Sequence, residues 1–113
     1  MKTLQLHHSC GTVELYLKVE KYLNPVNTAI TLWINVDGEY EQYNVLTKNL
    51  EQEWPEGYAY IDTNNNPGVL ELLLDAGLVE LTGIEELSGF CTYPLVTLDL
   101  EKIKEYQIPS LED

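Results

Sequence analysis

Apolar and polar residues alternate along the first half of the chain. Over residues 12–23, Val13, Leu15, Leu17 and Val19 fall on one side and Glu14, Tyr16, Lys18 and Glu20 on the other, the period of a strand buried on one face. Asn24-Pro25 breaks this run, and residues 28–36 alternate again with Ile30, Leu32, Ile34 and Val36 inward. Asp37-Gly38 follows. Both residues tolerate positive φ, so the pair predicts a two-residue hairpin and an antiparallel return over residues 39–47. A short strand at residues 3–7, joined through Ser9-Cys10-Gly11, completes a four-stranded meander.

The second half changes period. An acidic loop, E-Q-E-W-P-E-G at residues 51–57, and an extended Y-A-Y-I at 58–61 lead into D-T-N-N-N-P-G at 62–68. There Asn66 fits a helix cap, Pro67 a first helical position and Gly77 a left-handed stop, which predicts a helix over about 67–76. Val69, Leu70, Leu72, Leu73 and Leu74 leave only Glu71 and Asp75 polar, so this helix is expected to be buried on most of its circumference. Residues 78–81 read as extended, T-G-I-E-E-L-S-G at 82–89 as a loop or single turn, and the stretch from Gly89 through P-L-V-T-L as extended again. Pro94 marks that strand as an edge or bulged one. Asp99 caps a short final helix, about 99–106, ended by Pro109 in a polar tail. The expected class is α+β: one antiparallel meander sheet with both helices on one face, in a single domain spanning residues 1–113.

Composition adds limits. With 44% hydrophobic residues and eight tyrosines the chain is that of a folded protein despite its charge. No apolar run approaches the ~20 residues of a membrane-spanning helix, and the polar start does not read as a signal peptide, so a cytoplasmic location is expected. Cys10 and Cys91, far apart, read as thiols. The net charge of −13 is uneven: residues 1–50 hold five acids against four lysines, residues 51–113 fourteen against Lys102 and Lys104. There is no arginine, whose planar fork grips phosphates and guanine edges. Direct binding of nucleic acid, nucleotides or anionic membranes is therefore not expected, and a charged partner should be a basic protein. Solubility alone accounts for such acidity equally well.

Candidate chemistry is sparse. Counted from Asp62, the glycine and bidentate Glu positions of a calcium loop are occupied by Pro67 and Leu73. Adjacent His7 and His8 point to opposite faces of a strand, so His7, His8, Cys10 and Cys91 do not assemble a zinc site. Cys91 with a histidine has no third orienting group and reads first as a small buried hydrophobe, a thiol enzyme being the minor alternative. Glu85 with Glu86, and Glu51 with Glu53 and Glu56, lie among other acids and read as surface charge rather than an acid and base pair. No catalytic residue, metal or cofactor is expected. Asn64 and Asn65, which the helix start does not use, stand out as a polar recognition tip.

Several words of the second half carry a resemblance. Y-I-D-T-N-N-N-P-G-V-L-E-L-L-L-D-A-G-L at residues 60–78, T-G at 82–83, S-G-F-C-T-Y-P-L at 88–95 and D-L-E-K-I at 99–103 resemble a family of small bacterial proteins catalogued as domain of unknown function 4313. The hairpin at Asp37-Gly38 extends the likeness over most of the chain, and the words at Asp62 to Asn65 and Gly89-Phe90-Cys91 make it specific. The resemblance implies passengers of conjugative transposons, plasmids and phage-like elements, often near anti-restriction genes, with no established enzyme activity or cofactor. It also implies more basic residues in relatives where this chain has Ile84-Glu85-Glu86-Leu87.

Two readings follow. In the sharper one the protein is a non-enzymatic accessory that mimics DNA and blocks a host defence nuclease, since the phosphate spacing of about 3.4 Å matches the rise per strand residue. Its acidic face would comprise Glu51, Glu53, Glu56, Glu71, Asp75, Glu80, Glu85 and Glu86. In the alternative, a regulatory or structural module with incidental acidity, the partner meets the polar tip and turn formed by Asp62, Asn64, Asn65, Gly89, Phe90 and Cys91, with Trp54, Tyr58, Tyr60 and Tyr93 as aromatic anchors.

Overall fold

The alternation of the first half becomes a meander. The computed structural model describes residues 2–23 and 26–109, so the expected break at Asn24-Pro25 and the tail past Pro109 lie outside the described residues. Strands β1 (Leu4–His8), β2 (Gly11–Lys21), β3 (Thr28–Val36) and β4 (Glu39–Val45) pair antiparallel in chain order. Leu15, Leu17, Ile30 and Leu32 point into the core, as the period requires. Asp37 and Gly38 close the β3–β4 hairpin with φ of 52° and 90°, a mirror-image turn whose twist matches that of the strands.

The single expected sheet is two. Strands β5 (Thr47–Lys48), β6 (Tyr58–Ile61), β7 (Val79–Ser88) and β8 (Cys91–Leu98) form a second four-stranded sheet in the order β5-β6-β8-β7. The chain passes between the sheets at Leu46, whose N–H donates to the Ile30 carbonyl at 2.9 Å and whose carbonyl accepts from the Asp62 N–H at 2.8 Å. Thr47 reinforces the corner: its Oγ1 accepts from the Ile30 N–H, and the Tyr22 hydroxyl donates to its carbonyl. Periodicity marks strands but not such a change of sheet: Leu46 and Thr47 are buried side by side at the corner, and which sheet each flanking segment joins is set by bonds to distant parts of the chain.

Both faces of the second sheet are covered. One contributes Ile61, Val79 and Val96 to the main core, with Leu46 and the inner residues of the first sheet. The other carries Tyr60, Tyr93 and Leu95 under Leu50 and Trp54 of the loop that follows β5. Burial on two faces explains why Y-A-Y-I shows no alternation.

The expected loop at residues 82–89 is mostly strand. β7 runs through it with a register shift between Leu81 and Glu85. There the Thr82 hydroxyl donates to the Leu95 carbonyl at 2.9 Å and accepts from the Ile84 N–H at 3.0 Å, and Gly83 adopts φ 88°. Beyond this bulge β7 is largely exposed, so no apolar period announces it. Pro94 sits opposite Glu85, beside the bulge and one residue past the last β6–β8 pair, Tyr60 with Leu95, so it falls where β8 is both next to a bulge and no longer paired with β6, as expected.

Helix α1 (Val69–Asp75) begins two residues later than expected. Gly68, at φ 85°, interrupts the turn, and Asn66 does not cap it: its Nδ2 donates to the carbonyls of Val45 and Asp62, which holds the carboxamide away from the helix, and among the described residues its Oδ1 accepts no hydrogen bond. Val69 and Leu73 are fully buried, while Leu70, Leu72 and Leu74 are half-buried, a narrower contact than expected. The helix stops where the sequence says: Gly77, at φ 73°, donates to the Leu74 carbonyl and Leu78 to that of Leu73, which satisfies the last carbonyls. The final helix is α2 (Leu100–Ile103), continued by a 3-10 turn at Lys104–Tyr106, and Asp99 Oδ1 caps it through the Lys102 N–H at 3.1 Å. Past it, the Ile108 N–H donates to the Leu17 carbonyl, filling the edge of β2 beyond the end of β1.

Leu46→Ala should lower unfolding free energy by about 2–5 kcal/mol in urea titration, whereas Leu87→Ser, at a position 69% exposed, should change it by no more than about 0.5 kcal/mol.

Candidate functional site

The D-T-N-N-N-P-G loop is tied down by its own side chains. Asp62 is buried; Oδ1 accepts from the Asn65 N–H at 3.1 Å and Oδ2 from Asn65 Nδ2 at 2.8 Å. Asn44 Nδ2 donates to the Asn65 carbonyl, and Asn66 reaches Val45, so the loop is laced to the end of β4. Both carboxylate oxygens of Asp62 are thus used in holding the chain. Of the expected polar tip, Asp62 and Asn65 serve this lacing, while Asn64 is exposed at the turn.

Gly89, Phe90 and Cys91 belong to a different feature. Ser88 pairs with Cys91, leaving Gly89 and Phe90 as the two-residue turn of the β7–β8 hairpin, with Gly89 at φ 62°. A positive φ at the first turn position followed by none at the second is the turn pattern that favours glycine first. Phe90 projects fully into solvent at the tip, and Leu81, Ile84 and Leu87 are exposed along β7. Among the described residues β7 is bonded on one side only, so the same strand offers free main-chain groups. The sequence reading gave Phe90 a role and missed Leu81, Ile84 and Leu87, which hydropathy alone assigns to a core.

The eight acids do not share one face. Glu85 pairs with Pro94 and Glu86 with Tyr93, and neighbours on a strand point to opposite sides. Glu86 and Glu80 fall on the side of Tyr93, where Glu86 lines one groove with Glu51 and Lys48. Glu56 and Glu80 line a second hollow with Asp99 and Glu101. Glu71 and Asp75 occupy the exposed stripe of α1. Glu53 Oε1 accepts from the Val26 N–H, and Glu56 pairs with Lys21 at 3.6 Å, so one ties the loop of residues 51–57 to the approach to β3 and the other to the end of β2. Buried Asn27 does more there: its Nδ2 donates to Asn49 Oδ1 and the Gln52 carbonyl, and its Oδ1 accepts from the Trp54 N–H. Nothing in the sequence singles Asn27 out.

The expected aromatic anchors are largely internal. Trp54 stacks on Tyr58 at 5.6 Å between ring centroids, and its Nε1 donates to the Tyr60 hydroxyl. Tyr93 is buried, with Lys48 Nζ over its ring. Burial raises the Tyr93 phenol above its ordinary 10.0, and the neighbouring Cys91 thiol and Asp62 add to the shift. Cys91 is half-buried at the start of β8, whereas both histidines lie on β1, His7 Nδ1 bonded to Thr12 Oγ1 and His8 Nδ1 accepting from the Cys10 N–H.

Asp62→Ala, which orphans the Asn65 donors, should cost about 1–3 kcal/mol in urea unfolding, with Asn64→Ala near neutral. The folded state holds the Tyr93 proton more tightly than the unfolded chain, so that stabilisation is complete below pH 10.0 and is lost as pH rises through the folded value. Tyr93→Phe should remove this part of the alkaline loss, read from unfolding midpoints between neutral and alkaline pH.

Searches of curated proteins and of solved structures found no match to the chain. A family model does match, over residues 16–112, from the first sheet to the tail past the last helix. By that match the chain belongs to the family described as Domain of unknown function (DUF4313).

Proposed function

We propose that this protein is a non-enzymatic, protein-binding accessory module of a mobile genetic element, and that it meets a basic protein through the β7–β8 hairpin. The observation that carries the reading is the make-up of that hairpin: Leu81, Ile84, Leu87 and Phe90 exposed together, flanked by Glu80, Glu85 and Glu86, with no lysine between residues 79 and 98. Clustered exposed apolar side chains within a charged setting are the usual composition of a contact surface: apolar groups supply affinity, and carboxylates steer a cationic partner and reject anionic ones. Asn64 and the laced loop form a separate, rigid feature that this reading does not require.

A DNA-mimic inhibitor of a host defence nuclease is the narrower version. Its phosphate-like track would draw on Glu51, Glu80 and Glu86, which lie toward the Tyr93 side, rather than on all eight acids. The two versions differ in what the apolar tip does. Phe90 is central to a general protein contact and idle in phosphate mimicry.

Affinity capture from a bacterial host, with mass spectrometry and salt titration of each captured partner, tests both. The double reversal Glu85→Lys with Glu86→Lys should weaken capture by at least about ten-fold at low salt, and Phe90→Ser by a similar factor that persists at about 0.5 M salt. Retention of the partner by both variants would remove the hairpin from the interface. Loss with the charge reversal alone would favour the mimic.

A further inference from the structure

Resting on the protein-binding reading, we infer that the outer edge of β7 over Glu85–Ser88 takes up an extended basic segment of the partner as an added antiparallel strand. Three observations converge on this stretch. Among the described residues it is bonded only to β8, so one side of its main chain has no ladder partner there. It is regular, lying between the bulge at residues 82–84 and the Gly89-Phe90 turn, with every residue from Glu85 to Ser88 in register with β8. Its side chains combine exposed Leu87 with Glu85 and Glu86 and no cation.

Charge selects the occupant. A second copy of this chain, itself at −13, would bring Glu85 and Glu86 beside the same two carboxylates, and like charges facing across strands are destabilising. The acids and the bulge therefore protect the edge against self-pairing, the role such devices have on edge strands generally. A strand carrying lysine or arginine meets no such barrier. Cross-strand partners share a face, so the added strand should set an apolar residue opposite Leu87 and basic residues opposite Glu86 and Glu85, an apolar-basic-basic word in the antiparallel sense. Leu87 and Glu85 lie on one face and Glu86 on the other, so the two cations would straddle the sheet, which a helix cannot do.

The probe is the synthetic peptide acetyl-SVTIKKVTS-amide, with two derivatives N-methylated at alternate residues, one set on each edge of the extended chain. Titration of the isotope-labelled protein should shift and protect the amides of residues 84–88. One methylated derivative should bind at least about ten-fold more weakly and the other should bind like the parent, because only one edge of the peptide faces β7. The Glu85→Lys, Glu86→Lys double variant should lose the parent peptide and bind acetyl-SVTIEEVTS-amide instead; its unfolding midpoint in urea controls for folding. Equal binding of both methylated derivatives, shifts away from residues 84–88, or a concentration-dependent dimer through β7 would overturn strand addition. A basic partner still captured in a hairpin-dependent manner under those outcomes would leave the protein-binding reading standing.

Discussion

Leu46 donates its N–H to the first sheet and its carbonyl accepts from the segment leaving β6, while its side chain is wholly buried between them. Because an unpaired main-chain group in that position would cost as much as a lost hydrogen bond, both sheets are fixed relative to one another wherever this residue is in place. Thr47, Tyr22 and Asn66 all converge on the same corner, from three different parts of the chain. The polar words around Asp62 are best understood as part of this junction: they hold the strand end, the loop and the start of α1 against β4.

Once the corner is set, the two halves of the molecule have different duties. The first sheet supplies a conventional half-buried meander with nearly balanced charge. The second sheet is packed on both faces over β6 and the inner part of β8, then runs out past the bulge at Thr82 into a hairpin whose β8 strand is still covered at Tyr93 by the loop after β5, while β7 and the Phe90 tip stand exposed. The packed part makes the projecting part rigid. A contact surface held this way loses little conformational entropy on binding.

What the residues disclosed depended on burial. Strands β2 and β3, the Asp37-Gly38 turn, the Gly77 stop and the Asp99 cap were legible because each rests on a local rule: alternation, positive φ or a side-chain acceptor. The switch at Leu46 was not, since it depends on tertiary bonds that leave no periodic trace. Nor was the outer part of β7, where exposure on both faces removes the alternation that betrays a strand. The start of α1 misled for a different reason: Asn66 and Pro67 look like a cap and first turn, but the carboxamide is engaged by more distant carbonyls and Gly68 takes the left-handed conformation. Among the site residues, Phe90 was recognisable from its turn, whereas the exposure of Leu81, Ile84 and Leu87 could be known only from the sheet order.

The bond from Ile108 to Leu17 has a temporal corollary. During synthesis β2 can join β1 and β3 early, yet part of its outer border stays vacant until residues 107–108, some ninety positions further along the chain, have left the ribosome. Closure of that border therefore waits on a distant segment, and nascent chains pass through a stage with an open edge at Leu17, just beyond the Leu4–Leu15 pair, where a chaperone would find something to hold.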